Sequence, residues 1–128
     1  MRLLLDTHVF IWFVLSPAQL SSVTLAAIQN AQNTIYLSLA SAWEMSIKSG
    51  LGKLSLTQPI EGFVQDQTRR NRFEILPITL QHISAVENLP HHHRDPFDRL
   101  LIAQSMTEGI PLITADHSIG AYSVEQIW

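Results

Sequence analysis

Two hydrophobic patterns alternate along this chain from end to end. Short apolar runs flanked by turn residues are typical of buried strands, whereas apolar residues three and four positions apart are typical of helices. Strands are predicted at residues 2–6, 34–37, 73–76 and 110–114, with an edge strand at 124–128. Helices are predicted at about 8–15, from Ser21 or Ser22 to about 32, at 39–49, from Pro59 to about 70, at 80–88 and from Asp95 to Gly109. This order predicts one α/β domain over residues 1–128, with a mostly parallel sheet and helices on both faces.

The last of these helices has clear signals at both ends. Asp95 suits the N-cap, and Pro96 suits the first helical position because its missing N–H would have no partner there. Asp98 then takes the third helical position, and Gly109 is typical of the residue after a helix. Asp116 follows the next apolar run. Ligands of open α/β sheets bind at the carboxyl ends of the strands, so Asp98 and Asp116 are predicted to meet there. The competing interpretation is structural, because acids in a first helical turn complement the helix dipole.

Two further acids occupy comparable positions. Asp6 ends the first predicted strand, and Glu44 lies in the third predicted helix, which Ser38 caps. Glu44 adjoins an apolar stripe that is predicted to face the core, and the stripe consists of Leu39, Trp43 and Ile47. Alternatively, Glu44 is an exposed partner for Lys48 one helical turn later.

The acids Asp6, Glu44, Asp98 and Asp116 cannot all stay ionised side by side without compensation. Two carboxylates about 5 Å apart repel by roughly 3 kcal/mol at an effective dielectric constant near 20. Either some of them hold a proton or a cation joins them. A ligand set made only of oxygens favours Mg²⁺ or Mn²⁺ over zinc. The pattern therefore indicates a metal site that activates water for attack on a phosphodiester.

Composition narrows the classes of protein. The 128 residues are 46% apolar, which predicts a folded core and excludes a disordered chain. The chain has no cysteine, which excludes disulfides and thiolate metal sites and fits a cytoplasmic location. Asp6 interrupts the apolar N-terminal run, and no apolar stretch is long enough to span a bilayer, so a soluble protein is predicted. With a net charge of −3, the protein as a whole does not attract nucleic acid, and a nucleic-acid substrate would need bound cations or a local basic rim.

Four short stretches of the chain carry a family resemblance. They are LLLDTH near the start, SAWEMSIKSGLGKL in the middle, RDPFDRLLIAQ, and LITAD near the end. In this order they resemble PIN-domain proteins, and closely the toxin component of VapC-type toxin–antitoxin pairs. The resemblance implies a three-layer α/β/α sandwich and a ribonuclease that depends on Mg²⁺ or Mn²⁺. The family's acidic quartet falls on Asp6, Glu44, Asp98 and Asp116.

The resemblance also implies supporting residues and partners. Its hydroxyl beside the last acid falls on Thr114, which is expected to support the acids by hydrogen bonding. Thr7 and Asp95 are further candidates for support, with helix capping as the competing role of Asp95. Candidate RNA contacts are Arg94, Arg99 and Lys48. The expected partners are an RNA substrate, a small antitoxin that blocks the site, and a second copy of the chain, in a larger toxin–antitoxin complex.

Three other functions compete with this interpretation. A metal-free ribonuclease would use two histidines as acid and base, with candidates at positions 8, 91–93 and 117. Phosphoryl transfer to Asp6 is disfavoured, because position 8 is not an acid and the last lysine is Lys53. A third alternative is a binding module with an inactive site.

Overall fold

The computed structural model describes all 128 residues. Its strands are β1 (Arg2–Leu5), β2 (Thr34–Ser38), β3 (Glu74–Leu76), β4 (Leu112–Ile113) and β5 (Gln126–Ile127). Its helices are α1 (Thr7–Leu15), α2 (Ser22–Gln29), α3 (Leu39–Gly50), α4 (Ile60–Asn71), α5 (Leu80–Glu87) and α6 (Pro96–Glu108). Short 3₁₀ turns span Pro17–Gln19 and His117–Ala121. The predicted order of strands and helices is confirmed, and no helix has the length and apolarity to cross a bilayer.

The five strands form one parallel sheet in the order β3-β2-β1-β4-β5. Strands β2 and β3 lie on one side of β1, and strands β4 and β5 lie on the other side. The gap beyond the carboxyl ends of β1 and β4 is therefore the topological switch point, where α/β sheets bind their ligands. The predicted α/β/α architecture with a parallel sheet is confirmed.

Residue alternation along β1 builds a core on each side of the sheet. Leu3 and Leu5 enter one core, with Phe10 of α1 and Phe63 of α4. Leu4 enters the other core, which α6 fills with the buried run Leu100–Ala103. Helix α3 joins both, since its Ala40 lies in the second core and its Met45 in the first. It therefore contacts the cores on both sides of the sheet rather than covering one face.

Helix ends agree with their sequence signals. The Ser21 and Ser38 hydroxyls accept from the N–H groups of Thr24 and Ala40. Gly109 follows α6 with φ of 66°, a conformation that L side chains rarely adopt. Helix α2 ends three residues before the predicted position.

The apolar stripe on α3 does not face the core, and this prediction was wrong. Leu39, Trp43 and Ile47 are 41%, 56% and 41% exposed. Because α3 packs against both cores, its buried side carries Ala40, Ser41, Glu44 and Met45 instead. The helical period was right, but the helix is rotated so that the acid is inside and the tryptophan outside.

Arg99 also differs from its prediction as an RNA contact. It is buried, and its guanidinium donates to four backbone carbonyls, those of Val86, Leu89, Pro90 and His93. These contacts, 2.9–3.3 Å long, hold the loop between α5 and α6 against α6. Arg99 is therefore a structural residue that fixes the path of the histidine loop, with its charge committed to carbonyl groups.

Candidate metal centre

Asp6 and Thr114 meet at the switch point of the sheet. They follow the paired strands β1 and β4, and the Asp6 N–H donates to the Ile113 carbonyl at 2.9 Å. The buried Thr114 hydroxyl donates to Asp6 Oδ2 at 2.7 Å and accepts from the Asp116 N–H at 3.1 Å. The expected hydrogen-bonding role of Thr114 is thus present. It leaves Asp6 Oδ1 as a buried oxygen without a partner.

Glu44 reaches the same edge from α3. Its carboxylate is buried, and Lys48 Nζ lies 2.7 Å from Oε2. The predicted i,i+4 pair therefore exists, but the idea that Glu44 is exposed was wrong. Its second oxygen, Oε1, is buried and has no partner. Lys48 is thus paired with this acid, and its predicted role as an RNA contact stays a prediction.

Asp98 lies in the first turn of α6, where the cap holds it in place. Asp95 Oδ1 accepts from the N–H groups of Phe97 and Asp98 at 2.8 and 3.0 Å, so the capping role of Asp95 is confirmed. Burial above all, and then the negative charges of Asp6 and Asp95, raise the pKa of Asp98 to about 7. Burial is also the main cause that raises the pKa of Asp6, and the charge of Glu44 adds to it. These acids therefore destabilise one another's ionised forms.

His93 also lies in this site, although the sequence suggested it only as a candidate for a metal-free reaction. Its Nε2 lies 3.0 Å from Asp116 Oδ2, and its Nδ1 lies 3.8 Å from Asp98 Oδ2. Ligand atoms of these three residues all lie within 4.8 Å of one another. Ser118 donates to Asp116 Oδ1 at 2.6 Å and is the main cause that lowers the pKa of Asp116. The prediction that Asp98 and Asp116 meet at one edge is confirmed, with a histidine between them.

The acids Asp6, Glu44, Asp98 and Asp116 form a cluster with His93, and the remaining candidate residues lie outside it. The Thr7 hydroxyl donates to Ser41 Oγ at 2.8 Å and so links α1 to α3. Arg94 is exposed and directly follows His93 in the sequence. His8 is exposed, and its charge acts on Asp6.

The donor set fits a divalent cation. Two buried carboxylate oxygens lack any partner, and burying such atoms is costly unless something binds them. The surroundings supply carboxylates and one imidazole but no thiolate, a set suited to Mg²⁺ or Mn²⁺. Asp6, Glu44, Asp98 and Asp116 are the residues that would hold such an ion.

Comparison with known proteins points to one family. The PIN domain family model matches residues 3–124. A relative from Mycobacterium tuberculosis, Ribonuclease VapC16, is 47% identical over 47 residues, which are 37% of this chain. The matched part spans about a third of that relative's length (33%).

Solved structures of the same fold cover almost the whole chain. VapBC2 from Rickettsia felis, bound to a DNA fragment from its promoter, has a TM-score of 0.75 at 14% identity, over 99% of this chain and 98% of that one. DNA-bound VapBC from Salmonella typhimurium has a TM-score of 0.71 at 12% identity, over 99% and 97%. FitAcB from Neisseria gonorrhoeae has a TM-score of 0.68 at 18% identity, over 98% and 96%.

The raised pKa of Asp98 predicts how stability depends on pH without metal. An aspartate titrates near 3.9 in the unfolded chain, so between about pH 4 and 7 the folded state binds more protons. The free energy of unfolding should therefore fall as pH rises through this window. We expect the melting temperature in chelator to be higher at pH 5.5 than at pH 8, and Asp98→Asn to lose part of that difference.

An exposed acid provides the control for this measurement. Glu87→Gln should keep the wild-type pH profile, because Glu87 lies on the surface of α5. The lowered pKa of Asp116 affects stability only below about pH 4, which is outside the range compared. If the stability of Asp98→Asn depended on pH as that of the wild type does, the raised pKa of Asp98 would be contradicted.

Proposed function

The chain belongs to the PIN-domain family, and we propose that it is a metal-dependent endoribonuclease of the VapC type, the toxin of a toxin–antitoxin pair. The observation that carries this proposal is the pair of buried oxygens without a partner, Asp6 Oδ1 and Glu44 Oε1, near the Asp98 carboxyl, whose pKa is raised. Buried polar atoms without a hydrogen-bond partner are rare in native structures, and ionisable groups with shifted pKa values cluster at functional sites. The ribonuclease name of the Mycobacterium tuberculosis relative supports the reaction class.

The proposed cofactor is Mg²⁺ or Mn²⁺. When bound, such an ion lowers the pKa of a water and stabilises the charge that develops on the attacked phosphate. The chain's own part is to present carboxylates in a fixed arrangement. Thr114 orients Asp6, the Asp95 cap orients the first turn that carries Asp98, and Lys48 holds one oxygen of Glu44 so that the other stays available.

The proposed substrate is RNA with an accessible loop or single-stranded segment. The protein carries a net charge of −3, so its surface as a whole does not attract a polyanion. Arg94 is the exposed basic residue nearest the cluster in sequence and is the proposed phosphate contact. Sequence-specific recognition of RNA mostly targets unpaired bases, and this supports cleavage at such sites rather than general digestion.

RNA cleavage should require the metal and leave distinct ends. Purified protein with Mg²⁺ or Mn²⁺ should cut members of a defined RNA panel to give 5′-phosphate and 3′-hydroxyl ends, and EDTA should stop it. Asp98→Asn should lose activity by at least about 100-fold, because the substitution removes a ligand carboxylate. Glu87→Gln, at an exposed position of α5, should cut as the wild type does. Gel analysis with end-specific enzymes measures both results.

A different outcome of the same assay would favour the histidine mechanism. His93 lies inside the cluster, so a metal-free acid–base reaction through the ribose 2′-hydroxyl is the second candidate. It would leave cyclic phosphate ends and full activity in EDTA. Either result would contradict the metal-dependent reaction.

We further propose that a small antitoxin binds beside this site. An apolar groove runs between α3 and α4, lined by Leu39, Trp43, Ile60, Val64 and Ile75. Trp43 packs edge-on against Phe97 with ring centroids 4.9 Å apart, so the groove adjoins the residues that precede Glu44 and Asp98. A contiguous exposed apolar surface is typical of a binding interface. The solved relatives named VapBC support a partner of this kind, and a homodimer within the complex is proposed on the family resemblance.

Growth and co-purification test the partner. Expression of the chain alone should slow growth, and co-expression of the adjacent gene's product should restore it and co-purify. Trp43→Glu should weaken co-purification at least about tenfold, since it places a charge in the apolar groove. Val23→Glu, at an exposed position of α2, should not. Toxicity that no neighbouring gene product relieves would overturn the proposed pairing.

A further inference from the structure

Hydrogen bonds to both its backbone and its ring fix the position of His93. Its backbone N–H donates to the Tyr122 hydroxyl at 2.8 Å, and its carbonyl accepts from Arg99. Its side chain is only 17% exposed. The loop that carries it is thus fixed by backbone contacts, and the imidazole is placed between Asp98 and Asp116.

The hydrogen bonds around the ring determine which nitrogen carries the proton. Nε2 has two neighbours, Asp116 Oδ2 at 3.0 Å and Ser118 Oγ at 2.9 Å. Ser118 gives its own hydrogen to Asp116 Oδ1, and an ionised carboxylate only accepts, so both neighbours accept from Nε2. The proton therefore lies on Nε2, and Nδ1 keeps a free lone pair.

That lone pair belongs to the nitrogen nearer Asp98. Nδ1 lies 3.8 Å from Asp98 Oδ2, which is too far for a hydrogen bond. Two neighbouring ligands of a six-coordinate ion with bonds of about 2.1 Å stand about 3 Å apart, so a small closure would let one ion contact both. Histidines that bind metals usually donate their other N–H to a carboxylate, as His93 does to Asp116.

We propose that His93 is a nitrogen ligand of the metal site through Nδ1, and that Asp116 orients the His93 ring instead of contacting the ion itself. This inference rests on the proposed metal-dependent function and replaces one of its four carboxylate ligands with an imidazole, beside Asp6, Glu44 and Asp98. Imidazole binds Mn²⁺ and later transition ions better than it binds Mg²⁺. The site is therefore selective for Mn²⁺ over Mg²⁺, and that selectivity depends on His93.

Electron spin-echo spectroscopy of bound Mn²⁺ tests this ligand directly. The full-length protein, stripped with chelator and loaded with less than one equivalent of Mn²⁺, should show the ¹⁴N coupling of a coordinated imidazole. His93→Gln should lose the coupling, because glutamine offers an oxygen in place of the nitrogen. It should also lose about tenfold or more in Mn²⁺ affinity by calorimetry, with Mg²⁺ affinity changed far less.

The neighbouring histidine gives a matched control. His91→Gln lies in the same loop and is exposed, and it should keep both the coupling and the affinity. The backbone contacts of residue 93 do not depend on its side chain, so His93→Gln should fold, and its metal-free melting curve checks this.

The outcomes separate this inference from the proposed function. Mn²⁺ bound by the wild type without ¹⁴N coupling, or coupling that persists in His93→Gln, overturns the histidine ligand and leaves a carboxylate site. Failure of the wild type to bind Mn²⁺ at all overturns both.

Discussion

The fold brings buried carboxylates together at one edge of a parallel sheet, and their mutual repulsion is the constraint on which the site depends. Asp6 follows the central strand, Glu44 faces inward from α3, and Asp98 lies in the first turn of α6. Burial above all, and then the negative charges of Asp6 and Asp95, raise the pKa of Asp98 to about 7. A divalent cation would relieve this repulsion and satisfy the partnerless oxygens. The instability of the cluster without metal is therefore the physical basis for the proposed affinity.

Structural residues around the cluster explain how this arrangement is kept. Arg99 organises the loop between α5 and α6 by donating to four carbonyls, and Tyr122 accepts from the backbone of His93. Thr114 fixes Asp6 from the neighbouring strand. These contacts hold the acids where the chain topology alone would place them only approximately.

The sequence was informative where the signals are local. Apolar runs, caps at Ser38 and Asp95, and Gly109 predicted the elements, and the positions of the acids predicted the edge at which they meet. It failed where tertiary packing decides: the period of α3 could not reveal that Trp43 faces outward, and nothing in the sequence distinguished His93 from the other histidine candidates. His93 reaches Asp116 across 23 residues, a contact that no spacing rule contains. Arg99 was predicted to contact phosphate because the sequence alone does not show whether an arginine beside the acids is buried or exposed.

The stability of Asp6→Asn with and without Mg²⁺ tests the central claim most directly. If repulsion at the buried cluster is real, this variant in chelator should melt at a higher temperature than metal-free wild type, because it removes charge while its amide oxygen can still accept from Thr114. Added Mg²⁺ should raise the melting temperature of the wild type and of the surface control Glu61→Gln, and that of Asp6→Asn much less. A metal-free Asp6→Asn that melts lower than the wild type, with the same response to Mg²⁺, would contradict the account and make Asp6 a structural residue.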